Sequence, residues 1–297
     1  APVRAAKEGK MSDITDIRHR IRSIEDTRQI TKAMELISVS KMRKAIERYE
    51  NNLTYFVKVR HTIKDILTHS KDLRHKYLVH RDGARTAYVV IGADKGLAGG
   101  YNKNVLELAW QHMQTREQKY VFTIGQMARE FFQHKNQTVD VEFLHAIQNP
   151  TLYDARRIAS DIVALYEKNL MDEVLVVFTR IESSVKQQPM IIKLLPVELD
   201  DLLDIHLPYE YNSEIVYDPS PKAVLDVLVP QYIVGLMYAL LVQSVASEHC
   251  MRMIAMGSAN RNADEMLEQL RLDYNRARQS QITNSLSEII SAASAVL

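Results

Sequence analysis

Glycine and proline are scarce in this 297-residue chain, at 9 and 8 residues. Both interrupt regular helix, so their scarcity argues against a many-turned β fold and for long unbroken helices. The lone cysteine, Cys250, excludes an intramolecular disulfide and a cysteine-based zinc cluster. It lies in an apolar helical stretch and reads as buried packing. A net charge of +1 offers no global basic field for nucleic acid. No apolar run of about 18 residues is expected to cross a bilayer. The richest stretch, Val224 to Val245, is broken by Asp226, Pro230, Gln231 and Gln243. No apolar leader precedes the first helix, and Met11 reads as a natural start with residues 1–10 as an extension.

What is present points to two kinds of structure. Hydrophobic residues make up 46% and charged residues 25%, enough for a packed core and too apolar for wholesale disorder. From Ser12 to about Ser70 there is neither proline nor glycine, and Ser12 or Asp13 can cap a helix start. Alternating steps of three and four give Ile14, Ile17, Ile21, Ile24, Arg28, Thr31, Glu35, Ser38, Met42, Ala45, Tyr49, Asn52, Phe56, Val59, Ile63 and Ile66. That is a heptad seam, apolar at both ends and polar from Arg28 to Ser38. A helix of about 55 residues would be about 80 Å long and needs a partner over most of its length.

The partner is predicted at the other terminus. Gln231 to Leu297 holds no proline and only Gly235 and Gly257. Its apolar stripe (Ile233, Leu236, Leu240, Val245, Met251, Ile254, Leu267, Leu270, Tyr274, Ile282, Leu286, Ile289, Ala293) is looser than a strict heptad. Pro230 either ends a short preceding helix, Pro221 to Val229, or kinks the long one. The tip, Asn284 to Leu297, is rich in Ser, Ala and Ile and is expected to sit in a sleeve made by another protein.

Between the helices, Thr86–Ile91, Lys119–Ile124 and Val174–Thr179 read as strands, with weaker candidates at Val139–Leu144 and Met190–Leu195. Helical stretches alternate with them: Asn102–Met113, Gln126–Gln133 and Leu152–Leu170. The expected fold class is therefore α/β plus a long antiparallel coiled coil. The terminal helices wind together, and an inserted domain of mainly parallel sheet is flanked by helices. Expected boundaries are 12–70 for the N-terminal coiled-coil helix, 76–220 for a Rossmann-like α/β domain and 221–297 for the C-terminal coiled-coil helix.

Candidate chemistry is thin. Gly92 to Asn102, GADKGLAGGYN, follows a strand and opens a helix, where phosphate loops lie. It contains neither GxxxxGK[ST] nor GxGxxG, so a tight strand–helix turn is the stronger reading. The histidines never fall at metal-ligand spacing with carboxylates, and His249 reads as coil-facing or surface. Ser183 and Ser184 near Lys186 lack a base. No catalytic residue, cofactor or metal is expected. The polar set Arg28, Lys32, Lys41, Arg43 and Lys44 is matched by Glu248, Arg252, Asn260, Arg261, Asn262, Arg271, Asn275, Arg276, Arg278 and Gln279. It reads as a polar coiled-coil surface, or as cationic donors offered to an acidic collar.

Four blocks carry a resemblance. ITKAMELISVSKMRKA (Ile30 to Ala45), GADKGLAGGYN, YDPSPKAVLDVLVPQY (Tyr217 to Tyr232) and Ser244 to Ile290 resemble, in order, the motifs of F-type ATP synthase gamma subunits. Ala98 departs from the cysteine common in that loop, and Ser285 and Ser291 from the usual Glu and Gly. The absence of a cysteine-bearing insertion points to a bacterial-like member. The resemblance implies a non-catalytic central rotor, one copy per complex. It would turn inside an alpha3beta3 hexamer of alpha and beta subunits and stand with the epsilon subunit on the c-ring. It further implies that Arg278 and Gln279 contact a loop of beta, that Tyr217 and Asp218 lie at the foot near the c-ring and epsilon, and that Asp94, Lys95, Gly96, Gly99 and Gly100 form a foot or stability loop. No nucleic acid is implied. Membrane contact would run only through the c-ring, on the cytoplasmic side of a bacterial cell membrane. Competing readings are a static coiled-coil scaffold with an α/β adaptor domain, and a nucleotide-binding enzyme on residues 76–220.

Overall fold

A computed structural model describes residues 14–69, 75–81, 83, 85–143, 147–183, 186–198 and 217–294. The proposed caps Ser12 and Asp13, the extension before Met11, and Ser184 lie outside them. In chain order the elements are α1 (Ile14–His69), β1 (Arg85–Ile91), α2 (Tyr101–Met113), β2 (Gln118–Ile124), α3 (Gln126–His134), β3 (Val141–Phe143), α4 (Leu152–Glu167), β4 (Glu173–Ile181), β5 (Gln187–Leu195) and α5 (Pro221–Ser294). Two compact units result: Ser38–Met253, and the terminal stretches up to Ile37 and from Ile254.

The larger unit is built on a five-stranded sheet of order β3-β2-β1-β4-β5. The first four strands are parallel, and β5 runs antiparallel to β4. Because strand side chains alternate, β1 sends Tyr88 and Val90 to one face and Ala87, Val89 and Ile91 to the other. Both sets are buried, which is why this strand reads as a continuous apolar run. The first face is covered by α2 (Val105, Leu106, Ala109, Met113) and α3 (Ala128, Phe132). The second is covered by α4 (Ile158, Ile162, Tyr166) together with Ile63 and Ile66 of α1 and Leu225, Ile233, Met237 and Leu241 of α5. The long helices thus supply part of the layer that buries the sheet. Thr151 starts α4 through a capping box: its hydroxyl accepts from Asp154 N, and the Asp154 carboxylate accepts from Thr151 N.

Two expectations change here. α5 runs unbroken through Pro230, so Pro221–Val229 is no separate helix. Ser220 caps its start by accepting from Ala223 N at 3.3 Å, and Pro221 takes the first position, where no N–H is required. In addition, α5 holds an 18-residue window of mean hydropathy 1.8, long and apolar enough to cross a membrane by composition alone. The stated breaks therefore do not lower its hydropathy enough to fail that test. Its apolar residues Ile233, Met237, Leu241 and Val242 are instead spent on the core.

In the smaller unit α1 and α5 run antiparallel, since partner numbers fall along α5 as they rise along α1. Arg18 donates to the Tyr274 hydroxyl (3.1 Å), Arg271 to Glu25 (3.2 Å), Arg28 pairs with Asp264 (2.6 Å), and Thr31 bonds Asn260 (2.5 Å). On α1, Ile17 is buried and Ile21 and Ile24 are half-buried, as the heptads predict. On α5 the inward positions are Met256, Asn260, Ala263, Leu267, Leu270 and Tyr274. These follow strict four–three steps, tighter than the apolar stripe implied. The polar Asn260 and small Ala263 had hidden the repeat, and Ile254, counted in the stripe, is exposed.

Candidate functional site

The loop after β1 sits where parallel sheets of this order take ligands. Strand order reverses between β1 and β4, so a crevice opens beyond their carboxyl ends. In this chain α5 fills that place. Ser247 donates to the carbonyl of Thr179 on β4 at 3.0 Å. The Arg252 guanidinium donates to the carbonyls of Lys95 (3.3 Å) and Gly96 (3.1 Å) in the loop. It also pairs with Glu248 at 2.6 Å and donates to His249 Nδ1 at 3.2 Å. All three side chains are buried.

The charges follow from this packing. Burial pushes the Glu248 carboxyl up and Asp94 adds to the rise, opposed by Arg252. His249 is pushed down to about 4, first by burial and then by the charges of Arg252 and Lys41. Its Nδ1 accepts from Arg252, so the neutral ring carries its proton on Nε2. Of the two placements expected, the surface one is wrong: His249 is buried, within reach of the Lys41 charge on α1, and is an acceptor that completes the arginine's bonds. The Tyr101 hydroxyl is buried beside the same group and also pushed up, mainly by burial.

The loop is fastened by its own side chains and by the start of α3, although the buried Asp94 Oδ2 has no hydrogen-bond partner among the described residues. Ala93 N donates to Asn102 Oδ1 (2.9 Å), and Met127 N donates to Ala93 O (2.9 Å). Asp94 accepts from Gln126 N at 3.2 Å, which places a carboxylate at the start of α3 where the helix dipole favours it. Gly99 adopts a left-handed φ of 54°, while Gly96 has open space around it. A phosphate here would meet the carboxylates of Asp94 and Glu248 and a loop whose carbonyls already serve Arg252. The geometry therefore favours the turn reading over the phosphate loop.

A pH test isolates His249. An imidazole at about 4 in the folded chain and at 6.5 when unfolded makes the unfolded state bind more protons between those values. Stability from this group is thus fully present above pH 6.5 and is lost as pH falls. About 2 kcal/mol should disappear between pH 7.5 and pH 5. His75, pushed down mainly by burial, acts in the same direction, and Glu248 acts oppositely. The difference between wild type and His249→Gln in urea-unfolding midpoint against pH should carry the His249 share. Parallel profiles would refute it.

The remaining sequence-predicted residues lie elsewhere. Tyr217 donates to Asp65 Oδ2 at 2.8 Å, and its phenol is pushed up to about 12 by burial and then by Asp65. Asp218 is exposed. Arg278 and Gln279 are exposed on α5, and Arg278 makes no ion pair with a described residue. Arg28, by contrast, pairs with Asp264, and Lys32 with Glu35. The clamp of Glu248 and Arg252 was missed as a pair. Its signal was the i, i+4 spacing of opposite charges inside an otherwise apolar stretch.

Together these features define a class: a protein whose terminal helices pair with each other and also cover an inserted α/β sheet, with the sheet's ligand crevice filled by its own helix. A profile of the family described as ATP synthase matches residues 13–296. The ATP synthase gamma chain of Ruminiclostridium cellulolyticum is 43% identical over 291 residues, covering 96% of this chain and 99% of that one. Among solved structures, a chain of the Euglena gracilis mitochondrial ATP synthase (OSCP/F1/c-ring) matches with TM-score 0.66 at 16% identity, over 95% of this chain and 94% of that one. A chain of the Tetrahymena thermophila mitochondrial ATP synthase central stalk and c-ring matches with TM-score 0.58 at 22% identity, over 77% and 99%. The chain belongs to the ATP synthase gamma chain family.

Proposed function

We propose that this chain is the central shaft of an F-type ATP synthase, coupling ion-driven rotation of a membrane c-ring to conformational change at an alpha3beta3 hexamer. The observation that carries this reading is family membership over residues 13–296. The chain would be present in one copy, with the epsilon subunit beside it. It would be peripheral on the cytoplasmic side of a bacterial cell membrane and would carry no catalytic centre of its own. Catalysis would lie in the surrounding subunits.

The residues divide the work. Ile282, Leu286, Ile289 and Ile290 near the end of α5 are exposed apolar side chains, suited to a surrounding sleeve. Arg278 offers an uncommitted planar fork to a carboxylate of beta, and Gln279 stands beside it. Tyr217 and Asp218 would face the c-ring and epsilon at the foot. The loop Asp94, Lys95, Gly96, Gly99 and Gly100 would act as a fastening: through Arg252 it ties the α/β sheet to α5, so that torque on one is felt by the other. The reconstituted complex carrying Arg278→Ala and Gln279→Ala should assemble normally and synthesise ATP about three- to tenfold more slowly. Full synthesis by the assembled variant would sink the assignment of these two residues. Purification of the complex without this chain in single copy would sink the shaft itself.

A further inference from the structure

A cavity of about 550 Å³ opens between α1, α4 and α5 in the larger unit. That volume lies within the usual range for small-molecule pockets, about 300–1,000 Å³. Its walls are the rings of Tyr49, Tyr55, Phe56 and Tyr238 with the side chain of Val234. The walls are held in place by their own contacts. Phe56 stacks on Tyr232 with centroids 5.6 Å apart and planes within 4°. Its ring rests directly on Gly235, where an added Cβ would stand 2.8 Å from Phe56 Cδ2. Tyr55 donates to Gln231 Oε1 at 2.8 Å, which fixes the rim.

Among the described residues, one charged side chain lines this cavity: Arg156 of α4. It is exposed and forms no ion pair with a described carboxylate, while Arg28, Arg85, Arg129 and Arg271 all do. An aromatic-walled hollow with a single uncommitted guanidinium selects for a molecule that is apolar over most of its length and anionic at one end. The apolar body gains by leaving water, and the guanidinium holds a carboxylate through two parallel hydrogen bonds. We propose that this cavity binds an amphipathic monocarboxylate, its acyl body among the rings and its carboxylate on Arg156. This site shares no lining residue with the loop clamp and goes beyond the shaft role.

The test is calorimetric titration of the full chain with sodium dodecanoate below its micelle-forming concentration. Saturable binding of one molecule per chain is expected. Arg156→Gln should weaken it by at least about tenfold. Ser160→Phe, at an exposed lining position, should abolish it by filling the hollow, and Ala239→Phe serves as a second filling variant should the first unfold. Unchanged urea midpoints for Arg156→Gln and for the filling variant used show that the fold is kept. Dodecyltrimethylammonium, of the same chain length and opposite charge, should bind at least about tenfold more weakly. Three results would each overturn the proposal: no saturable heat, equal binding of the cationic amphiphile, or dodecanoate binding that survives filling.

Discussion

Arg252→Ala is expected to lower the stability of the larger unit by about 3–5 kcal/mol, the usual loss when one partner of a buried ion pair is removed. Arg252 and Glu248 are each about 8% and 7% exposed, so neither can turn to water without moving α5. Removing the guanidinium leaves the Glu248 carboxylate unpaired, strips His249 Nδ1 of its donor, and strips the carbonyls of Lys95 and Gly96 of theirs. The carboxylate can escape by taking a proton, since burial already pushes it up, so the loss should shrink in acid. The apolar pair Glu248→Leu with Arg252→Met should be less damaging than Arg252→Ala alone, because no charge is then stranded. It should still fall short of wild type, because the loop carbonyls remain unserved. Trp110 on α2, the one tryptophan, reports unfolding of this unit by fluorescence in urea. A loss below about 1 kcal/mol for Arg252→Ala would mean the clamp is ornamental and the fastening reading of the loop is wrong.

The second large effect is expected at a glycine outside the recognised loop. Gly125, between β2 and α3, has φ of 92° and ψ of 145°, a region closed to residues with a side chain. A Cβ there would stand 2.4 Å from the carbonyl oxygen of Gly92, the first residue of the GADKGLAGG run. That oxygen cannot retreat freely, because Gly92 N is itself bonded to Ile124 O at 2.9 Å and Met127 N to the next carbonyl. Gly125→Ala should therefore lose about 3–5 kcal/mol, backbone strain and overpacking each supplying part. Gly96→Ala is the internal control: nothing lies within 4 Å of the new Cβ and its φ is ordinary. Its midpoint should stay within about 0.5 kcal/mol of wild type. Equal losses for the two variants would show that the loop tolerates neither for a reason other than this geometry.

Element type was legible wherever the pattern is local. β1, β2 and β4 were found as apolar β-branched runs, and α2, α3 and α4 as helical stretches, with no boundary off by more than three residues. α1 follows its heptads because a period of 3.5 is written in neighbouring positions and needs no knowledge of the partner. The seam of α5 was less legible. Asn260 looks like a surface residue in the sequence, yet it is buried because Thr31 and Glu35 of α1 supply its bonds. A polar residue can hold an inward position only when the facing helix completes it, and that fact belongs to both helices at once.

The site shows the same division. Sequence alone determined that GADKGLAGGYN is a strand–helix turn, that two long helices lie at the termini, and which family's motifs they carry. These are properties of short windows, where spacing and residue type suffice. Only the tertiary structure decided that α5 closes the crevice above β1 and β4, that Arg252 serves carbonyls more than 150 residues away in the chain, and that His249 is buried and neutral. Which groups meet across such distances depends on how the sheet and the helices pack, and no local pattern encodes that.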